Sequence, residues 1–316
     1  MKIVILLFCS LIHTTAFAAE SPVTRMRPML GTYVEITVNG LDYERANQAI
    51  DAGFAAISEV DRLLSSHRTD SELNRINAAA GNGAIPVAIW THECIKMAVD
   101  VGHQSEGAFD ITCRPVLDLW GFVRKEYRLP SQHELDSALP LVNYRDIILI
   151  ADPVSTSEKS SESSKPVRFQ IGLARIGMKL DVGGIGKGFA VDKAVEALQK
   201  SGVRMGLVKA GGDFRGFGGK IWRVGIADPV DWHCPIVEID ILDEAISTSG
   251  DYENFFEVNG RRYGHLVDPR TGMPVQHRHS LSVRATTCTL SDAWSTALFV
   301  SHTIPHPASI RVVDVR

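Results

Sequence analysis

Cysteine is scarce in this chain, with five in 316 residues and no CxxC pair among them. Zinc held by paired thiolates is therefore not what organises the fold. An excess of one charge is also missing, since 33 lysines and arginines face 37 aspartates and glutamates for a net −4. That balance excludes a module that grips nucleic acid or anionic lipid through a broad basic field. No stretch reaches the roughly 18 unbroken apolar residues of a membrane span. Nothing repeats at a period of roughly 20–50 residues, which removes solenoids and propellers. Walker A and Rossmann spacings are absent, and His92-Glu93 lacks the second histidine of a zincin.

What is present is an ordinary globular composition, 45% apolar and 22% charged, long enough for one large domain or two intimate lobes. Residues 1–18 stand apart from it. Lys2, the apolar run Ile3 to Ile12 broken only by Ser10, and Ala16-Phe17-Ala18 read as a secretory signal peptide. Cys9 makes a poor acylation site, because Phe8 precedes it and almost no apolar core lies upstream. The expectation is an exported protein, periplasmic in a Gram-negative cell, with residues 19–316 forming a single domain. Cys94, Cys113, Cys234 and Cys288 then remain, and that compartment permits disulfides as well as buried free thiols.

Met29 to Val38 alternates and is rich in β-branched residues, which predicts a strand with Gly31 near its start. Ile50, Phe54, Ile57, Val60 and Leu64 recur at helical spacing. A second helix is expected over Thr91 to Gln104, and strands over Ile147 to Ala151 and Val167 to Leu180. The serine-rich run at 155–166 between those strands reads as a solvated loop. Phe189 to Ser201 predicts a helix closed by Gly202, Met205 to Lys209 a strand, Trp222 to Thr248 further strands, and Ser291 to Val300 a helix. Strands come in runs as well as between helices, so the class is α+β rather than a regularly alternating parallel sheet.

Four segments carry possible chemistry. Leu180-Asp181-Val182-Gly183-Gly184-Ile185-Gly186-Lys187-Gly188 joins a strand to a helix. Small residues allow close backbone approach, the helix start presents free N–H groups, and Lys187 adds positive charge, a combination suited to a phosphate or pyrophosphate. A tight strand-to-helix turn has the same composition. Asp292 and Thr296 stand i and i+4 on one helix face. A carboxylate plus a hydroxyl suits magnesium, although Ser291 as N-cap and Asp292 against the helix dipole account for them without metal. His265, at the mouth of the Asp268-Pro269 turn, could serve as a base or be structural. Asp268 would then orient that base or hold the turn. Ala108-Phe109-Asp110 could line a pocket or cap core packing, and His277 with His279 reads as a surface pair.

Taken in order, these segments resemble the FAD:protein FMN transferases, the ApbE family. The resemblance runs from Arg27-Pro28-Met29-Leu30-Gly31-Thr32 through Asp70-Ser71-Glu72-Leu73, Gly107 to Asp110, Leu180 to Gly188 and Ala210-Gly211-Gly212-Asp213. It continues through His265 to Gly272 and Ser291 to Thr296. It implies an exported, Mg2+-dependent enzyme that splits FAD and joins FMN by a phosphoester to a threonine or serine of an acceptor protein, releasing AMP. Acceptors in such a family are redox-complex subunits and exported flavin-carrying domains. The resemblance assigns the metal to Gly184, Asp292 and Thr296, and the base to His265. It places Met29, Ala108, Phe109, Asp110, Asp181, Lys187 and Leu266 around FAD. His67 stands where many members have a tyrosine stacked on the flavin, so its role there is open. The implied architecture is two interleaved lobes of mostly antiparallel sheet with packed helices, an ApbE-like, T-fold-like arrangement with FAD in the cleft. The same site would also serve a Mg2+-dependent FAD pyrophosphatase, and a non-catalytic flavin-binding protein needs less of it.

Overall fold

The computed structural model describes residues 21–153, 167–227, 235–251, 254–276 and 280–313. The leader, the serine-rich run, Cys234 and the His277/His279 pair lie outside the described residues. A seven-stranded antiparallel sheet forms the frame. Its order is Val23–Met29, Thr32–Asn39, Met205–Ala210, Asp213–Phe217, Ala245–Gly250, Ser280–Ala285 and Arg311–Val313.

The strand expected from Met29 onward is in fact the second half of a hairpin. Met29 pairs with Thr32, and Leu30 and Gly31 form the two-residue turn with φ of 56° and 71°. Both positions of such a turn need positive φ, the left-handed region that glycine enters freely and leucine at a cost. The alternation of MLGTYVEITV hides this, because a two-residue turn does not interrupt a period of two.

Helices cover one face of the sheet. α1 (Tyr43–Leu64) is capped by Asp42, which accepts from Arg45 N at 2.9 Å. Its Ile50, Phe54, Ile57 and Val60 are buried in the main core. α2 (Glu72–Ala78) and α3 (Ile89–Gln104) pack beside a three-stranded sheet of Ile85–Pro86, Val167–Leu173 and Ile147–Pro153. The strand from Val167 stops at Leu173, short of the expected Leu180, and Gly177 turns the chain with φ of 90°.

α4 (Arg114–Trp120) and α5 (Gln132–Ala138) share a smaller core with the hairpin Phe255–Val258 and Arg261–Gly264. α6 (Gly186–Lys200) starts inside the glycine cluster, three residues earlier than its apolar pattern predicts. α7 (Cys288–Val300) is capped by Thr287, not Ser291. The Ser291 hydroxyl instead meets Ser247 Oγ at 2.8 Å inside the core. Helices and antiparallel sheets coexist as the α+β reading requires. No described helix is long and apolar enough to cross a membrane. Cys94, Cys113 and Cys288 are free thiols.

Candidate active site

α6 and α7 cross at their N-terminal turns, and glycine makes the crossing possible. A Cβ on Gly188 would collide with the Cys288 carbonyl and stand 2.8 Å from Asp292 Cβ. The helices also cap each other. Asp192 of α6 accepts from Cys288 N at 2.9 Å and Thr289 N at 2.8 Å. Asp292 Oδ2 of α7 accepts from Gly188 N at 2.9 Å. Asp292 thus satisfies a helix start, as a structural aspartate would, but the start belongs to the other helix. Its second oxygen, Oδ1, faces Lys187 Nζ at 3.8 Å.

The turn before α6 is fixed from three sides. Asn77 brackets Leu180, accepting from its N–H at 2.6 Å and donating to its carbonyl at 3.1 Å. Asp181 Oδ1 accepts from Gly183 N at 2.9 Å, and Oδ2 accepts from Arg114 at 3.3 Å. The turn then brings Gly184 against α7: a Cβ there would stand 2.9 Å from Thr296 Oγ1 and 3.2 Å from the Phe109 ring. Gly184, Asp292 and Thr296 therefore line one cavity of about 360 Å3. Their possible donors are a carbonyl, a carboxylate oxygen and a hydroxyl, a hard all-oxygen set of the kind Mg2+ takes. No cluster of three or more His, Cys, Asp or Glu suited to a metal stands among the described residues.

Lys187 reaches from the first turn of α6 to Asp213 Oδ2 at 2.9 Å. Asp213, 2% exposed, ends the Ala210-Gly211-Gly212-Asp213 segment as the first residue of its strand. The resemblance included that segment without giving Asp213 a role. Burial disfavours the Lys187 ammonium, but Asp213 and Asp292 outweigh it and hold the proton more tightly than usual. Asp292 also holds its proton more tightly than a free carboxylate: burial and the Asp213 charge raise its proton affinity against the pull of Lys187. A divalent cation beside Asp292 would oppose the burial and repulsion that raise its proton affinity and favour its ionised form.

His265 lines the same cavity, beside Leu266. Its backbone N–H donates to the Asn254 carbonyl at 3.0 Å, and its Nδ1 lies 3.2 Å from the same oxygen. Burial, with Lys187 adding, lowers its pKa to about 4, so the unliganded ring is neutral at physiological pH. Asp268 makes no hydrogen bond or ion pair to it. That carboxylate grips Arg270 at 2.8–2.9 Å, while its carbonyl accepts from Gly272 N at 2.8 Å. Of the two roles open to Asp268, the structure supports the turn.

Ala108, Phe109, Asp110, Asp181 and Lys187 join the same cavity, although the Asp110 carboxylate is committed elsewhere. Its Oδ1 accepts from Thr112 N and Oγ1 at 2.8 and 2.6 Å, and its Oδ2 from Tyr144 N at 2.9 Å. Cys113 lines the cavity too, but burial, with Asp181 and Asp110 adding, pushes its thiol well above its usual range. That shift disfavours the thiolate, the nucleophilic form. Met29 and His67 sit in an adjoining groove that shares Leu30, Gly183 and Lys187 with the cavity. Ser249 belongs to the site without a sequence signal, placing Oγ 3.3 Å from Thr296 Oγ1.

The ApbE family model matches residues 30–310, nearly all of the described protein and every segment that builds this cavity. The chain belongs to the ApbE family. A relative named FAD:protein FMN transferase from Klebsiella pneumoniae (strain 342) is 30% identical over 305 residues, covering 94% of this chain and 83% of its own. One of the same name from Vibrio cholerae serotype O1 is 32% identical over 259 residues, covering 77% and 72%. Among solved structures, the ApbE protein of Thermotoga maritima superposes with a TM-score of 0.77 at 31% identity, covering 89% and 87% of the two chains. The apo flavinyl transferase ApbE of Pseudomonas stutzeri superposes at 0.75 with 27% identity, covering 90% and 86%. The ApbE fold thus accounts for the α+β frame and for the ordered segments around the cavity.

Proposed function

We propose that this protein is a Mg2+-dependent FAD:protein FMN transferase, acting on exported acceptor proteins after its own leader, residues 1–18, is removed. The observation that carries this reading is the convergence of Gly184, Lys187, His265, Asp292 and Thr296 on one cavity. Simple flavin binding needs neither a paired metal corner nor a neutral histidine in the same cavity.

In the reaction, a threonine or serine hydroxyl of the acceptor attacks the FMN-side phosphorus of FAD. A new O–P bond forms, the bridging P–O bond breaks, and AMP leaves with the bridging oxygen. Bound Mg2+ would offset the negative charge gathering on the phosphoryl oxygens, held by Gly184, Asp292 and Thr296. Lys187 keeps a positive charge beside the same oxygens, fixed in place by Asp213. His265 takes the hydroxyl proton at Nε2, a contribution typically worth roughly 10²–10⁴-fold. Met29 and His67, in the groove next to the cavity, would face the flavin ring in this reading, with the imidazole offering a smaller stacking surface than a tyrosine.

AMP release measured with and without an acceptor protein tests the reading. A transferase releases AMP in proportion to acceptor and stops with EDTA. AMP released equally without acceptor makes the protein an FAD pyrophosphatase, and no AMP under either condition leaves a flavin carrier.

A further inference from the structure

We infer that Tyr127 and Asn254 are positioning residues for His265, and that together they fix which ring nitrogen faces the cavity. The inference rests on the reading of His265 as the base. A backbone carbonyl can only accept, so the 3.2 Å contact between His265 Nδ1 and the Asn254 oxygen requires the proton on Nδ1. The neutral ring then carries its lone pair on Nε2, the nitrogen free to take a proton from a hydroxyl in the cavity.

That carbonyl is only as well placed as its own residue. Asn254 immediately precedes the hairpin strand Phe255–Val258, and its side-chain oxygen accepts from the Tyr127 hydroxyl at 2.9 Å. Tyr127 follows α4 in sequence and is half-exposed, yet its ring is stacked. It lies 5.3 Å from Phe256 at 12°, and Phe256 lies 5.3 Å from Tyr263 at 18°. Tyr263 in turn lies 5.4 Å from Trp120, whose Nε1 donates to the Gly272 carbonyl at 2.8 Å. The stack therefore holds both sides of the loop that carries His265: Asn254 before it and Gly272 after it. Val275 N closes the loop on the Leu266 carbonyl at 2.8 Å. Neither Tyr127 nor Asn254 lines the cavity, so they act on the reaction only through the orientation and tautomer of the imidazole.

The test is Tyr127→Phe, which deletes one hydroxyl and leaves the ring stack, with Asn254→Ala as the second variant. Ring-nitrogen NMR of the whole protein, assigned by the signal lost in His265→Asn, reads the tautomer without reference to activity. In the parent protein His265 is expected as Nδ1–H. Each variant should mix the two tautomers and lower kcat by about ten- to hundredfold, within what a positioned base supplies. KM for FAD should not change. The double variant should lose no more than the worse single, because the two side chains act through one contact. A pure Nδ1–H signal in both variants overturns the inference, and so does a mixed signal with kcat unchanged. Full transfer by His265→Asn would instead sink the base assignment, while the nitrogen signals would still decide whether Tyr127 and Asn254 set the tautomer.

Discussion

Asp292 on α7 accepts a hydrogen bond from Gly188 N on α6, 104 residues earlier in the chain, at 2.9 Å. One carboxylate therefore both closes the helix crossing and leaves an oxygen for the cavity. The two duties separate by substitution. Asp292→Asn keeps an oxygen for Gly188 N and should unfold at nearly the parent denaturant midpoint. Asp292→Ala loses the acceptor and should cost about 1 kcal/mol, as the loss of a helix cap does. Both should raise the Mg2+ needed for half-maximal AMP release by more than about tenfold, since even an outer partner of a metal ligand is worth roughly that.

Gly188→Ala tests the crossing itself. The added methyl meets the Cys288 carbonyl and Asp292 Cβ, both in rigid helix, so the helices must separate. Urea denaturation should show a loss of about 3 kcal/mol, at the upper end for overpacking in a closed core. The same change should abolish AMP release, because Asp292 moves with α7.

Asp192→Ala removes the acceptor for the first two N–H groups of α7 and the partner of Arg215. Stability should fall by about 3 kcal/mol, the scale for breaking a buried charged partner. Amide exchange should rise most at the start of α7. Uniform exchange throughout the chain would mean that Asp192 does not hold that helix end.

His265 has a folded pKa near 4 against an ordinary 6.5, lowered chiefly by burial. Between those values the unfolded chain binds the proton and the folded chain does not, so stability falls as pH drops from about 6.5 through 4. NMR of unliganded protein should find the ring neutral at pH 5, and its pH-dependent loss of stability should vanish in His265→Asn. A titration near 6.5 in the folded state would contradict the burial argument.

Asp268→Asn should keep kcat within about threefold, because Asp268 makes no hydrogen bond to His265 and its carbonyl still accepts from Gly272 N. The lost ion pair to Arg270 is half-exposed and worth little. A hundredfold loss of kcat with an unchanged fold would show that Asp268 acts on the base after all.

Local periodicity made much of the fold legible, because α1 and α3 bury one face and their apolar residues mark it. The site was legible where its chemistry is local: the glycine turn before α6, and the i, i+4 pair Asp292 and Thr296. Long-range partners left no trace. Nothing near Asp292 reveals that it caps α6, nothing near Lys187 names Asp213, and Ser291 has the composition of a cap at a position buried inside α7. The Leu30-Gly31 turn leaves no mark on the periodicity because its two residues preserve the alternation on both sides.

The most direct test of the account is the intact mass of an acceptor protein after incubation with this protein, FAD and Mg2+. The account predicts a gain equal to FMN less water on one threonine or serine, matched by AMP, and lost with EDTA or Asp292→Ala. An acceptor of unchanged mass, in a reaction that still converts FAD to AMP and free FMN, would contradict it.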